Sequence, residues 1–353
     1  MSLLSPNLEA LFTDTEFQHL ALPFAGYFGI LIPSMVACFA TSLFRFGSGG
    51  RLVKVLFLIL AAASFAITWY FIFLWFIRDA SEYISAHPLE GIKGWMANCD
   101  LFTGAYMLVT EQTANWWWSV QLLNFVPSMV VFMFASSSLP DSHGLPAAAF
   151  LILGMLGAIS LCWPLFLIQH LSNDEGVLLH AKRAPWLLSL CMGLSVLSNV
   201  VQPFLVGGTT AFDVNLKAIH VLLLLPLLVK GLLVANSKEG ASIRHLLAFL
   251  AGCSFVSFSS LTLQQLAVHS FDVGATASAL ISAFWSNECQ SSITTDYISS
   301  TLTSMVFMVH QIFEGSRGVK WSKAGKAGML VLVCLAPVLS NGVVFPLFLV
   351  MMN

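Results

Sequence analysis

Residues 55–77 read Val55-Leu56-Phe57-Leu58-Ile59-Leu60-Ala61-Ala62-Ala63-Ser64-Phe65-Ala66-Ile67-Thr68-Trp69-Tyr70-Phe71-Ile72-Phe73-Leu74-Trp75-Phe76-Ile77. No Asp, Glu, Lys or Arg interrupts them. A bilayer core of ~30 Å needs about 20 mostly apolar helical residues, so this stretch, inside the run 53–77, is long enough to cross one. Runs 22–44, 146–169, 185–206, 217–236 and 327–351 are of the same kind. Runs 117–136, 246–264 and 297–313 are shorter or more polar. Membrane β-strands would show alternating segments of about ten residues, and these runs are too long and too continuous for that. The expected fold is all-α: a polytopic integral membrane helical bundle with about 8–10 transmembrane helices. Residues 1–353 form a single transmembrane domain in this reading.

Composition points the same way. Hydrophobic residues make up 58% of the chain and charged residues 9%, against roughly 45–50% and about 25% in a soluble domain. Too few charges remain to give a solvated surface, which excludes a soluble enzyme and a disordered chain. A formal charge of −2 offers no basic footprint for nucleic acid. The seven cysteines are scattered without a CxxC pair, so no metal site is expected from spacing. Acidic rather than basic residues (Glu9, Asp14, Glu16) precede the first apolar run, so no cleaved signal peptide is expected.

Lys and Arg concentrate in the cytosolic loops of membrane proteins. Alternating spans then put Lys182/Arg183, Lys238/Arg244 and Arg317/Lys320/Lys323/Lys326 on the cytosolic face. Asp213, Asp272 and Glu288 fall on the opposite face. Two long connectors, 78–116 and 266–296, are half apolar and half polar. Each reads as a re-entrant or interfacial helix, or as a tenth span. Polar backbone at that depth must line protein or a cavity.

Ionisable groups in spans cost ~2.5–3.5 kcal/mol each at the helix centre on insertion scales, which makes them functional candidates. If 98–116 is one helix, Asp100 and Glu111 come within about 20° of each other, with Asn115 on the same side. Two carboxylates in one dry site suit proton transfer. Asp213, Lys217 and His220 share a face at the start of another span; the alternative is a helix start with Asp213 as its cap. Asn287, Glu288, Gln290 and Asp296 precede His310, which falls within about 40° of Asp296 on a helical wheel. Gln264, Gln265, His269 and Asp272 suit a span end, where capping outweighs chemistry. Trp116, Trp117 and Trp118 follow Glu111, and Trp285 precedes Glu288. They suit an interfacial aromatic belt or a π-lined pocket that attracts cations. Acids beside π-faces fit a reaction in which a greasy substrate becomes a carbocation. Trp116, Trp117, Trp118 and Trp285 are therefore expected to lie within one cavity near Asp100, Glu111, Glu288 and Asp296.

Asn98-Cys99-Asp100-Leu101-Phe102-Thr103-Gly104-Ala105-Tyr106, Thr113-Ala114-Asn115-Trp116-Trp117-Trp118-Ser119-Val120-Gln121 and Cys289-Gln290-Ser291-Ser292-Ile293-Thr294-Thr295-Asp296-Tyr297 resemble patterns in small fungal membrane proteins. Over nearly its whole length the chain resembles the membrane-bound terpene cyclases of fungal meroterpenoid pathways, the ascofuranone and ascochlorin cyclase type. The resemblance implies a cofactor-independent, metal-free cyclase of the endoplasmic reticulum. Its substrate would be a prenylated aromatic or meroterpenoid carrying an epoxide or a terminal alkene, reached from the lipid bilayer. Asp100, Glu111 and Asp296 would be the proton-transfer acids, with Asn115, Trp116, Trp118, Asp213, His220, Trp285, Glu288 and His310 around the substrate. The DxDD motif of soluble protonating cyclases is absent from this chain.

The rival class is a proton- or ion-coupled transporter using the same acids, though no clear repeat is present. A prenyltransferase would need an Asp-rich pair of motifs to hold Mg²⁺ on a diphosphate, and neither DxxxD nor DDxxD occurs.

Overall fold

A computed structural model describes residues 14–44, 50–99, 101–136, 145–172, 179, 182–205, 207, 209–230, 240–314 and 321–352. The protein is an all-α bundle. The chain begins with α1 (Thr15–Phe44), α2 (Arg51–Ala86), α3 (Gly91–Asn98), α4 (Leu101–Thr110) and α5 (Thr113–Ser136). Then come α6 (Ala147–Leu156), α7 (Ile159–Ser172), α8 (Trp186–Val201) and α9 (Thr210–Leu228). The last third holds α10 (Ile243–Val268), α11 (Val273–Phe284), α12 (Glu288–Glu314), α13 (Lys323–Cys334), α14 (Ala336–Leu339) and α15 (Asn341–Met352). Among the described residues, α1, α2, α5, α9 and α10 are long and apolar enough to cross a membrane.

Two expected spans are broken. The run 146–169 divides into α6 and α7, and 327–351 into α13, α14 and α15. Gly157 ends α6, its N–H donating to Leu153 O at 2.7 Å. A Cβ there would lie 2.8 Å from the same carbonyl, so this tight ending needs glycine. The second break falls at Ser340, a buried non-glycine residue with φ 78°. The connectors also resolve. Residues 78–116 hold the end of α2 and the short helices α3 and α4; residues 266–296 hold α11. At 1.5 Å per residue none of α3, α4 and α11 is long enough by itself to cross a ~30 Å core.

Helices α5 and α12 form the centre. Most of α5 is buried, because α10 and α15 cover one side and α12 and α8 others. Helix α12 is rich in buried Ser and Thr and lies against α2, α5 and α7. Its polar groups bind across helices, as interior polar groups must in an apolar surrounding. Tyr297 Oη donates to Gln121 Oε1 (2.8 Å), and Trp163 Nε1 and Asn341 Nδ2 both donate to Ser304 Oγ (3.1 and 2.9 Å). The outer helices present apolar side chains outward, among them Leu52, Ile59, Ile67 and Ile77 along α2. An exterior of that kind suits lipid rather than water.

The strands β1 (Arg183–Ala184) and β2 (Ala241–Ser242) pair antiparallel, Arg183 opposite Ser242. The loops before α8 and before α10 therefore share one end of the bundle. At that end His310, near the close of α12, approaches Gly50, just before α2. At the other end Arg78 on α2 forms an ion pair with Glu288 on α12 (2.6 Å). Helices α2 and α12 are thus antiparallel, and both connectors gather at the Glu288 end. Reporter tags at 183 and 240 are expected on one membrane face, with a tag at 90 on the other. A tag at 240 reporting with 90 and against 183 would break this arrangement.

Candidate functional site

A cavity of about 790 Å³ opens among α1, α2, α4, α5, α6, α9 and α12, on the connector side of the bundle. Its size falls in the ~300–1,000 Å³ range of small-molecule pockets. Aromatic rings dominate the wall: Phe24, Tyr27 and Phe28 from α1, Trp69, Trp75 and Phe76 from α2, and Tyr106 from α4. Met96, Ala97 and Asn98 of α3 close one side. Both connectors contribute, through Asn98, Cys99 and Tyr106 from one and Cys289, Ser292, Ile293 and Asp296 from the other. Among the described residues lining the cavity, Asp296 is the one acid.

Asp296 projects from α12 onto the break between α6 and α7. Oδ2 accepts from Ile159 N (3.1 Å); Oδ1 accepts from Ser160 N (2.6 Å) and Ser300 Oγ (3.4 Å). The first main-chain N–H groups of α7 have no partner within their own helix, and a carboxyl group there completes them as a cap does. The carbonyl side of the break is held as well. Tyr27 Oη donates to Leu156 O, and Trp69 Nε1 donates to Gly157 O (3.1 Å). Helix ends inside an apolar bundle need such partners, since no water replaces them. Three helices thus hold a stretch of bent main chain in the cavity wall, with a carboxyl group on it. On the α9 side, His220 Nδ1 donates to Leu216 O (2.8 Å), and its ring meets Tyr106 edge-on at 5.9 Å.

The other sequence candidates lie elsewhere. Asp100 lies outside the described residues. Glu111 is exposed, in the bend between α4 and α5. Residues 98–116 are therefore not one helix, and the shared face proposed for Asp100 and Glu111 has no helix to carry it. Asn115 is buried but bridges protein groups: Nδ2 donates to Leu108 O (3.1 Å) and Oδ1 accepts from Ser286 Oγ (3.3 Å). Trp116 is buried in a small cluster with Val120, Leu123 and Leu261. Trp117 Nε1 donates to Thr262 Oγ1 (2.9 Å) and Trp118 Nε1 to Leu280 O (2.8 Å). These indoles tie α5 to α10 and α11. Trp285 is 64% exposed and rests on Phe71 and Phe284. Asp213 lies in the first turn of α9, whose cap is Thr209. Asp272 caps α11, accepting from Ala275 N at 2.9 Å. Glu288 pairs with Arg78. His310 faces Glu314 (3.8 Å) at the far end of α12, fourteen residues or about 21 Å of helix from Asp296.

The two connectors meet through the Arg78–Glu288 pair and the Ser286–Asn115 bond, but Glu111, Trp116, Trp117, Trp118, Trp285 and Glu288, expected in one cavity with Asp296, are not among the residues that line it. Of the candidate residues, Asp296 and His220 line the cavity. The aromatic wall was missed. Trp69 and Trp75 sit in the most continuous apolar run, where their inward direction leaves no local mark beside the outward Tyr70 and Phe73. No family model, curated protein or solved structure matches the chain.

Proposed function

We propose that this chain is a multi-pass protein of the endoplasmic reticulum membrane that cyclises an apolar prenylated aromatic or meroterpenoid substrate without a cofactor. The observation that carries this reading is an aromatic-walled cavity with a single carboxyl group, Asp296, among its described lining residues. In the reaction, a proton passes from the carboxyl group to the oxygen of a terminal epoxide and the tertiary C–O bond breaks. The π electrons of successive double bonds close rings onto the cationic carbon. Loss of a proton from the last cation returns the carboxyl group to its starting state, so the product is an isomer of the substrate. The same scheme starting from a terminal alkene protonates carbon instead of oxygen.

Each part of the site has a task in this scheme. Ile159 N, Ser160 N and Ser300 Oγ hold the carboxylate that remains once the proton has left. The aromatic faces of Trp69, Trp75 and Tyr27 stabilise positive charge as it moves along the chain. Exclusion of water keeps the cation from being quenched. Expression in a host supplying prenylated phenol epoxides is expected to yield a product of unchanged mass and altered retention. Substrate recovered unchanged with abundant membrane protein would overturn the reading. Glu111→Gln is expected to keep turnover within about tenfold of wild type, above the ~10²-fold loss that marks a general acid.

A second reading draws on the two broken helices. Discontinuous helices at mid-membrane frame the ion sites of many transporters. Proton-coupled uptake into vesicles, lost on Asp296→Asn, would favour that class over a cyclase.

A further inference from the structure

Helix α6 starts where α7 ends. Leu145 N donates to Gln169 Oε1 (3.1 Å), and Gln169 Nε2 donates back to Leu145 O (2.9 Å). Between these points the two helices pack on each other as a hairpin. Its open end lies toward the His310 end of the bundle, where the His170 ring meets Phe132 of α5 and Phe307 of α12 edge-on at 5.1 and 6.0 Å. Its tip, at Gly157 and Ala158, reaches only the middle of α2: Ser64 Oγ donates to Ser160 O (3.0 Å) and Trp69 Nε1 to Gly157 O (3.1 Å). The ten residues of α6 rise about 15 Å, half of a ~30 Å core. The run 146–169 therefore enters and leaves on one side. A tip of bent main chain at that depth must be buried in protein or line a cavity, and Met155, Leu156 and Gly157 do line one.

On the connector side of that tip the cavity takes the place of a spanning helix. Its flanks are α1 and α9. Helix α1 packs on α3, α6 and α7, and α9 on α5, α6 and α8, but among the described residues the two are not packed on each other. Phe24 and Phe28 of α1 and Ile219 and Leu223 of α9 nevertheless line the same cavity. Outward, both helices expose apolar side chains, Leu22 and Ile30 on one and Val214 and Val221 on the other, a surface that suits lipid. We propose that the cavity opens sideways into the connector-side leaflet, between α1 and α9, and that its ligand enters there from the bilayer as an amphiphile. The polar head group stays near the membrane surface by α3, where Asn98 lines the cavity, and the apolar chain runs down to Asp296 at mid-membrane. The identity of the ligand rests on the cyclase reading, which this route deepens: the end of the prenyl chain remote from the head group is the end that meets the acid.

The test uses the full-length protein in bilayer discs of phosphatidylcholine with an alkyne at the end of one acyl chain. A photoreactive benzoylphenylalanine replaces Met155, partly exposed at the cavity floor, or Ile59, exposed on the outer face of α2. Light is expected to attach lipid at both positions. A farnesylated phenol should lower the attachment at 155 to that of a sample kept dark and leave it unchanged at 59. Attachment at 59 with none at 155 overturns the proposal. Should the variant at 155 fail to fold, reporter tags decide. Tags within 137–144 and within 173–178 are expected on the same membrane face as a tag at 183, whereas opposite faces would make 146–169 a crossing and overturn the sideways opening. Attachment at 155 that the phenol does not displace removes the prenylated ligand, and the cyclase reading with it, while the opening stands. An isomer formed from a prenylated phenol epoxide, with no lipid reaching 155, overturns the route and leaves the cyclase reading standing.

Discussion

An Asp296→Asn protein is expected to turn over at least ~10²-fold more slowly than wild type, the low end of general acid–base catalysis, while it still accumulates in the membrane. The amide keeps the shape of the carboxyl group and removes the exchangeable proton. It also changes the contacts at the helix break. The Asn Oδ1 can accept one main-chain N–H, but its Nδ2 faces a second donor, since Ile159 N and Ser160 N now meet opposite oxygens of Asp296. One N–H then loses its partner, at a cost of about 1–3 kcal/mol. Turnover must therefore be referred to the monodisperse protein recovered in detergent. Near-wild-type turnover per folded molecule would remove Asp296 from the chemistry. Asp296→Ala leaves both N–H groups unpaired and is expected to lower the yield of folded protein further.

The second large effect is on stability. Trp163→Ala is expected to destabilise the bundle by about 3–5 kcal/mol, the range for removing a fully buried large aromatic side chain. Trp163 on α7 is fully buried and meets Phe125 and Phe132 of α5, Phe307 of α12 and Phe345 of α15 at centroid distances between 5.4 and 6.4 Å. Its Nε1 also donates to Ser304 Oγ. Lipid is as apolar as these rings, so the loss does not come from exposing them to water. It comes from dispersion contacts forfeited around a void. Thermal unfolding in detergent checks this: Trp163→Phe, which retains most of the packing and loses the hydrogen bond, should fall between wild type and Trp163→Ala. Equal melting of wild type and Trp163→Ala would mean that these helices are held together elsewhere.

The cluster around Trp163 also bears on the cavity. It lies on the same helix as Ile159 and Ser160, whose N–H groups hold Asp296. Helix α7 is thereby fixed at its start by the carboxyl group and in its body by aromatic packing. The orientation of Asp296 toward the cavity depends on both. Gly342 gives α15 a similar close fit, since a Cβ there would come within 3.1–3.2 Å of the main chain at Asn124 and Phe125.

Long apolar runs were enough to establish an all-α bundle, because an uninterrupted stretch such as 55–77 can satisfy its backbone in lipid only as a helix. His220 stood out because an ionisable group in an apolar run is costly wherever it faces, and Asp296 because it shares a helix face with His310 and lies in a stretch that resembles the cyclase pattern. The cavity expected to gather Trp116, Trp117, Trp118, Trp285, Glu111 and Glu288 around Asp296 is lined by other residues. The tertiary structure alone decided the rest. It broke 146–169 at Gly157 and 327–351 at Ser340, exposed Glu111 in a bend, and made Trp117 and Trp118 ties between helices. It also chose Trp69 and Trp75, from a run crowded with rings, to wall the cavity. In a soluble helix the inward face is marked by an apolar stripe against a polar one. Here protein and lipid are equally apolar, so a ring facing the cavity and a ring facing the bilayer satisfy the same local rule, and only the packing of neighbouring helices tells them apart.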